Sequence, residues 1–157
     1  MNKLFILALL FSANALAFDG LVTKVHDGDT LIVINEIGAF EKIRLAKVDA
    51  PELKAFNWGE QPYAPAARNA LVNLCEGKTA SVIRKNKDKY GRTVASVSCQ
   101  STDVATYMVK NGDGWAYRYS SNKALRALQA NAKAQHLGLW ALENPIEPIL
   151  WRKKAMH

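Results

Sequence analysis

The sequence predicts an α+β fold in which a five-stranded barrel carries three helices, in the order β-β-β-α-β-β-α-α. Three observations indicate this: five short runs of apolar and β-branched residues, turn residues between those runs, and three segments with helical spacing of apolar residues. Five short strands with a helix between the third and the fourth follow the strand order of the OB-fold. The 157 residues suffice for one such domain with a buried core and are too few for two comfortable domains.

Residues 1–17 are predicted to be a cleaved secretory signal. Lys3 gives a positive start, residues 4–11 form an uninterrupted apolar run, and Ala15-Leu16-Ala17 provides the small residues that a signal peptidase requires. The run is too short for a membrane-spanning helix, which needs about 18 or more apolar residues. The mature chain is therefore expected to begin at Phe18, to be exported to the periplasm or the medium, and to be free of the membrane.

The first three strands are predicted at residues 20–26, 29–35 and 40–47. Asp27-Gly28 supplies the turn between the first two strands, and Gly38 interrupts the chain between the second and the third. Because both connections are short, the strands are expected to pair as an antiparallel meander.

A second hairpin is predicted from residues 78–85 and 92–99, with position 78 opposite position 99. That register brings Cys75 close to Cys99, near the Cα spacing of about 5.5–6 Å that a disulfide needs. Two cysteines in an exported chain favour one disulfide, with two separate buried thiols as the alternative. A zinc site is disfavoured because two thiols without neighbouring histidines cannot fill four positions.

Three helices are predicted from apolar spacing and flanking residues. The first ends at Gly77, the second is capped by Ser101 or Thr102, and the third is capped by Asn122 and ends near Gly138. The apolar residues that define them are Ala67, Ala70, Leu71 and Leu74 in the first helix, Val104, Met108 and Val109 in the second, and Leu125, Leu128 and Ala132 in the third.

The barrel domain is predicted to span residues 18–143, and residues 144–157 are expected to form a basic tail. Pro145 and Pro148 are expected to break regular structure in that tail, since proline has no backbone N–H.

The formal net charge of +7 favours a polyanionic partner such as a nucleic acid, although an exported structural protein with a basic surface would have the same charge. The predicted barrel also favours a nucleic-acid partner, because OB-folds often bind nucleic acids. Two main classes follow: an enzyme that acts on nucleic acid, and a non-catalytic OB-fold module that binds single strands by stacking and charge.

Candidate catalytic residues come from the demands of phosphodiester cleavage, which needs an aligned water, a divalent metal and positive donors for the charge that grows on the phosphoryl group. Hard cations such as calcium take oxygen ligands, chiefly carboxylates. Asp29 lies in the first turn, Asp49 closes the third strand, and Glu52 follows three residues later. Arg44 lies in the third strand and Arg92 opens the fifth. Five charged residues around one pocket favour the enzyme, because a binding module has no need of them.

Three segments resemble the micrococcal nuclease (thermonuclease, staphylococcal nuclease-like) family. They are Val25-His26-Asp27-Gly28-Asp29-Thr30, the stretch from Ile43-Arg44-Leu45 to Val48-Asp49-Ala50-Pro51-Glu52, and Asp88-Lys89-Tyr90-Gly91-Arg92. Gly114-Trp115-Ala116-Tyr117-Arg118-Tyr119 is similar to the aromatic stretch of the same family. The resemblance extends from about residue 20 to about residue 140, in the family's order and spacing.

The resemblance implies an endonuclease, a hydrolase that uses Ca²⁺ to cut DNA and RNA with little base preference and leaves 3′-phosphate and 5′-hydroxyl ends; the predicted signal adds that it is secreted. It implies that calcium is bound by the carboxylates of Asp29 and Asp49 and by the main-chain carbonyl of Ala50. No protein partner is implied, and a monomer is expected.

The resemblance also implies roles for residues around the substrate. Arg44 and Arg92 would bracket the phosphate and stabilise the charged transition state, since a fork of donors suits it better than a point charge. Glu52 would position the attacking water and accept its proton. The positions that would contact the terminal phosphate and stack on the base are Lys89, Tyr90, Tyr117 and Tyr119.

Two features depart from the family. Ala50 replaces the threonine of the best-known member, which keeps the carbonyl but removes a hydroxyl near the metal's water shell, so an altered metal affinity is expected. The loop 53–61 differs in length and composition; its Trp58 is expected to cover the barrel, with stacking on a base as the alternative.

Overall fold

The computed structural model describes residues 16–54 and 59–154. Its elements, in chain order, are β1 (Ala17–Asp27), β2 (Thr30–Ile34), β3 (Phe40–Leu45), β4 (Val48–Asp49), α1 (Ala64–Cys75), β5 (Thr79–Lys87), β6 (Thr93–Cys99), β7 (Thr102–Asp103), α2 (Val104–Lys110), β8 (Trp115–Ala116), α3 (Lys123–Ala134), a 3-10 turn (Gly138–Ala141) and α4 (Pro148–Lys154).

Five strands close into a barrel in the spatial order β3-β2-β1-β5-β6. The neighbours in this order pair antiparallel, and a short parallel pairing of β3 with β6 closes the ring, with Ile43 opposite Thr93 and Leu45 opposite Ala95. The predicted five-stranded OB-type barrel with accompanying helices is confirmed.

The barrel core is formed by alternate residues of the strands, as the side-chain period of two requires. In β6 the buried positions are Thr93, Ala95, Val97 and Cys99, and the residues between them are half-buried. The buried side chains of α1 and α2 join this core; among them are Ala67, Leu71, Val104 and Met108. The two helices therefore cover the barrel, and the predicted apolar helix faces point inward.

The predicted disulfide between Cys75 and Cys99 is present, with a Cα–Cα distance of 5.5 Å. It connects the end of α1 to the end of β6 and is fully buried. The hairpin register differs from the prediction, because Ala80 rather than position 78 lies opposite Cys99. The difference arises at the turn, because β5 extends to Lys87, which pairs with Thr93, whereas the predicted strand ends at residue 85; the irregularity between Arg84 and Asn86 moves the pairing by only one residue.

The predicted count of three helices was wrong, because a fourth helix, α4, forms in the segment expected to be an irregular tail. Pro148 is the first residue of α4, a position where the missing N–H would have no partner in the helix anyway. Trp151, one turn on, is buried and packs on Ile146. The cap of α2 also differs: Asp103 accepts from the backbone N–H of Thr106 at 2.8 Å, in place of Ser101 or Thr102.

Two predicted features fall on residues outside the described part. Residues 1–15 of the predicted signal and Trp58 are not described, and β1 begins at Ala17, one residue before the expected mature start. Among the helices within residues 16–54 and 59–154, none is long and apolar enough to cross a membrane.

Candidate active site

Four of the five predicted catalytic and metal-binding side chains line one cleft with a volume of about 920 Å³. The fifth, Asp49, is only 2% exposed and contacts two arginines of the cleft. The charged residues along the cleft include Asp27, Asp29, Arg44, Glu52, Asp88, Lys89, Arg92 and Arg152. Side chains from three distant parts of the chain therefore meet at one place.

Asp29 is positioned by the tight turn between β1 and β2. The carboxylate of Asp27 accepts the backbone N–H of Asp29 at 3.0 Å and stabilises the turn. Gly28 lies so close to the loop after β4 that an added Cβ would be 2.6 Å from the Cβ of Ala50. This approach lets the Asp29 carboxylate accept the backbone N–H of Ala50 at 2.8 Å.

Arg44 joins the two buried aspartates. Its Nη2 atom is 2.8 Å from Asp49 Oδ1 and 3.1 Å from Asp29 Oδ2. Its Nη1 atom donates to the carbonyls of Leu45 and Val48 at 2.7 and 2.8 Å. Arg44 therefore fixes the turn between β3 and β4 as well as both carboxylates.

The electrostatic balance at these residues follows from burial and pairing. Burial raises the pKa of the Asp29 carboxyl above its ordinary value, and the adjacent Arg44 only partly opposes this. Burial would lower the pKa of Arg44, but Asp29 and Asp49 outweigh it and the pKa is raised. Arg44 is thus firmly held as a cation, whereas burial disfavours the charged form of Asp29.

Glu52 lies on the loop between β4 and α1, and contacts outside regular structure hold it. Its backbone N–H donates to the side-chain oxygen of Gln61 at 3.0 Å, and its carbonyl accepts the backbone N–H of Gln61 at 2.8 Å. Its carboxylate pairs with Nη1 of Arg152. Burial raises the pKa of Glu52, and Arg152 opposes the shift.

Arg92 directly precedes β6, the strand that pairs with the Arg44 strand β3 to close the barrel. Asp88 holds it through Nε at 2.7 Å and through its backbone N–H at 3.0 Å. Nη1 is 3.5 Å from the hydroxyl of Thr30, and within the described residues Nη2 has no hydrogen-bond partner. Arg92 can therefore offer donors to an anion in the cleft.

Three of the four predicted substrate-contacting residues line the cleft. Lys89 Nζ lies 5.0 Å from the centre of the Tyr90 ring, and Tyr90 and Tyr117 are exposed. Tyr119 is not part of the cleft lining; it is 71% exposed and meets Tyr117 edge to face at 5.5 Å. Exposed rings beside a cation can stack on bases, which suits Tyr90 beside Lys89.

Known proteins share this sequence pattern. The sequence profile described as "staphylococcal nuclease homologue" matches residues 42–142, which is more than half of the chain. The chain belongs to the staphylococcal nuclease family. It is a nuclease by this membership, and its substrate is nucleic acid.

Relatives of this nuclease cover most of its length. It is 40% identical over 134 residues to a protein of Haemophilus influenzae named uncharacterized endonuclease, covering 85% of this chain and 72% of the relative. It is 33% identical over 162 residues to a micrococcal nuclease of Shigella flexneri, covering 95% of this chain and 89% of the relative. A protein of Escherichia coli O157:H7, also named uncharacterized endonuclease, is 35% identical over 149 residues, covering 92% of this chain and 93% of the relative.

The donor set of the nuclease suits a hard cation. The carboxylates of Asp29 and Asp49 both contact one nitrogen of Arg44, so two carboxylates meet at one place, and carboxylate oxygens are the ligands that a hard cation such as calcium prefers. The main chain of Ala50 adjoins Asp29. Within residues 16–54 and 59–154, no three His, Cys, Asp or Glu side chains form a ready cage, so carbonyl and water ligands would have to complete the shell.

Arg152 is the site residue that the sequence reasoning missed. It belongs to the predicted basic tail, yet Nη2 lies 3.2 Å from Asp49 Oδ2 and Nη1 pairs with Glu52. The available signal was Pro148 followed by three apolar residues ending in Trp151, which is typical of a short helix that begins at proline and packs on the protein.

Proposed function

We propose that this nuclease is a secreted, calcium-dependent endonuclease that hydrolyses phosphodiester bonds of DNA and RNA with little sequence preference. The observation that carries the proposal is the convergence of the Asp29 and Asp49 carboxylates on one nitrogen of Arg44, with Glu52 and Arg92 in the same cleft. This set can hold a cation, align a water and receive negative charge.

In the proposed reaction the protein supplies three actions. Glu52 orients a water and takes its proton as the water oxygen attacks phosphorus. Arg92 donates to the phosphoryl oxygens, where negative charge grows. The phosphorus bond to the 5′ oxygen then breaks, the leaving oxygen takes up a proton from solvent water, and the products are a 3′-phosphate and a 5′-hydroxyl. Calcium, when bound by Asp29, Asp49 and the carbonyl of Ala50, would neutralise charge on a phosphate oxygen.

The role of Arg44 is proposed to be mainly to hold the carboxylates. Its Nη atoms already donate to two carbonyls and two carboxylates, so a phosphate would have to displace one of them. Arg92 has an Nη atom without a partner within the described residues. Of the two arginines, Arg92 is therefore the better candidate for direct contact with the phosphate.

The proposal is tested by digesting plasmid DNA and a folded RNA with the purified mature chain. We expect cleavage of both, loss of cleavage with EGTA, and restoration by calcium that exceeds restoration by magnesium, because the site offers irregular oxygen ligands rather than an octahedron. The products should accept phosphate from a polynucleotide kinase directly, and a polymerase should extend them only after 3′-phosphatase treatment. Equal rescue by magnesium, or 5′-phosphate ends, would contradict the proposal.

Export is tested by expressing the full chain in a bacterium and fractionating the cells. We expect to find the protein in the periplasm or the medium, with the mass of a chain that begins at Phe18. A cytoplasmic protein that retains residues 1–17 would contradict it.

A further inference from the structure

The C-terminal segment reaches into the candidate active site. Arg152 on α4 contacts both oxygens of Asp49, at 3.3 and 3.2 Å, and also pairs with Glu52. The segment lies outside residues 42–142, the part that matches the family profile. These contacts join positions about a hundred residues apart in the chain, so tertiary packing alone must bring them together.

The helix that carries Arg152 is firmly docked. Pro148 and Trp151 are buried, and Trp151 packs on Ile146. Arg118 pairs with Glu147, just before α4, with Nε 3.1 Å from Oε1. These contacts anchor the helix that carries Arg152, and an anchored helix can hold the guanidinium in a defined position beside Glu52.

The loop of Glu52 is tied to the same C-terminal segment by a second contact. Gln61 is 2% exposed, and its side chain accepts the backbone N–H of Glu52 while donating to the carbonyl of Ile146 at 2.6 Å. The main chain of Glu52 is therefore linked through Gln61 to the residues before α4. Its side chain is linked to α4 through Arg152.

We propose that Arg152 is a positioning residue of this nuclease, which holds the carboxylate of Glu52 beside Asp49 in the geometry needed to align the attacking water. Glu52 itself lies in neither a helix nor a strand, so a contact from outside its loop must hold the side chain. Misplacement of a catalytic group by about 1 Å can reduce a rate about a hundredfold. The inference rests on the proposed function, because it acts through Glu52.

A double-mutant cycle on the full mature chain tests the inference. Single-turnover cleavage of a DNA oligonucleotide is measured for the wild type, Arg152→Gln, Glu52→Gln and the double variant, at saturating calcium. We expect Arg152→Gln to lower the maximal rate by about 10- to 100-fold with less than about a threefold change in half-saturating substrate. In the Glu52→Gln background the same substitution should change the rate by no more than about twofold.

Two further variants control for charge and folding. Lys153→Gln removes the same charge from an exposed position on the same helix and should cleave like the wild type. Arg152→Lys keeps the charge but lacks the planar fork of donors that contacts Asp49 and Glu52 together, so its rate should fall between those of the wild type and Arg152→Gln. Matching circular dichroism spectra and melting temperatures would show that the variants are folded.

The outcomes separate the inference from the proposed function. If Arg152→Gln lowered the rate equally with Glu52 present and with Glu52→Gln, Arg152 would act independently of Glu52. If Arg152→Gln cleaved faster than the wild type, Arg152 would block the site. Either result overturns the inference and leaves the proposed function intact. A wild type that does not cleave, or a Glu52→Gln variant as fast as wild type, would overturn the proposed catalytic role and the inference with it.

Discussion

The Asp29 carboxylate accepts the backbone N–H of Ala50 at 2.8 Å, and this contact ties the first turn of the barrel to the end of β4. Those two places are only neighbours because Gly28 lets the turn approach Ala50 closely. The contact therefore connects the fold of the barrel directly to the proposed metal site.

Asp29→Asn is expected to weaken calcium binding by on the order of tenfold or more, because calcium affinity depends on the charge of its ligands. The melting temperature should not fall, since burial already disfavours the charged form of Asp29 and asparagine keeps an acceptor for Ala50. Calorimetric titration with calcium chloride measures the calcium affinity, and thermal denaturation measures the melting temperature. Glu143→Gln, at an exposed position, is the control. Unchanged calcium affinity in Asp29→Asn would remove this residue from the site.

Asp88→Asn is expected to reduce the cleavage rate by about tenfold, less than the loss of Arg92 itself. Asp88 holds both Nε and the backbone N–H of Arg92, and a neutral amide holds a guanidinium more weakly than a carboxylate does. Single-turnover rates at saturating calcium measure this effect. If Asp88→Asn were as fast as wild type, Arg92 would not depend on this partner for its placement.

Removal of the disulfide is expected to lower the free energy of unfolding by about 3 kcal/mol, the amount associated with closing a loop of this size. Cys75 and Cys99 are 24 positions apart and both fully buried. The double variant Cys75→Ala/Cys99→Ala and the wild type are compared by urea denaturation. A loss below about 1 kcal/mol would show that the bridge contributes little beyond the packing of the barrel.

Stability is expected to decline between about pH 4 and pH 6 through Asp113. Burial raises the pKa of this carboxyl to about 6, and the hydrogen bond from the Tyr63 hydroxyl only partly opposes the shift. The unfolded chain, with a pKa of about 3.9, binds fewer protons in that range, so unfolding becomes easier as the pH rises.

Asp113→Asn should abolish this decline and be more stable than wild type by about 1–3 kcal/mol at pH 7, with little difference at pH 4. Urea denaturation of both proteins across this range gives the two profiles. Parallel profiles would contradict the shifted pKa of Asp113.

The barrel was predictable because its signals are local. Alternating apolar residues and the Asp27-Gly28 turn predict the first hairpin, and Asn122 caps α3 as expected, accepting the N–H of Leu125 at 3.1 Å. The clustering of the catalytic candidates was predictable only through the resemblance, since no spacing rule says that Asp29 and Asp49 face one nitrogen.

Local signals indicate the helix α4, but they do not predict the contacts that α4 makes with the site. Proline usually breaks a helix, but the first position of a helix tolerates it, and Pro148 occupies that position in α4. The contacts of Arg152 with Asp49 and of Gln61 with Ile146 depend on how the segment after α3 folds back onto the barrel. Such long-range polar contacts leave no periodic trace in the sequence.

The central claim is that Glu52 and Arg92 act on a phosphate held in one cleft, and single-turnover cleavage by Glu52→Gln and Arg92→Ala at saturating calcium tests it most directly. Arg68→Ala, which alters an arginine outside the cleft lining, is the matched control. The account predicts rates at least about a hundredfold below wild type for both site variants, with the fold retained and the control unchanged. Folded variants that cleave within about threefold of the wild type would contradict it.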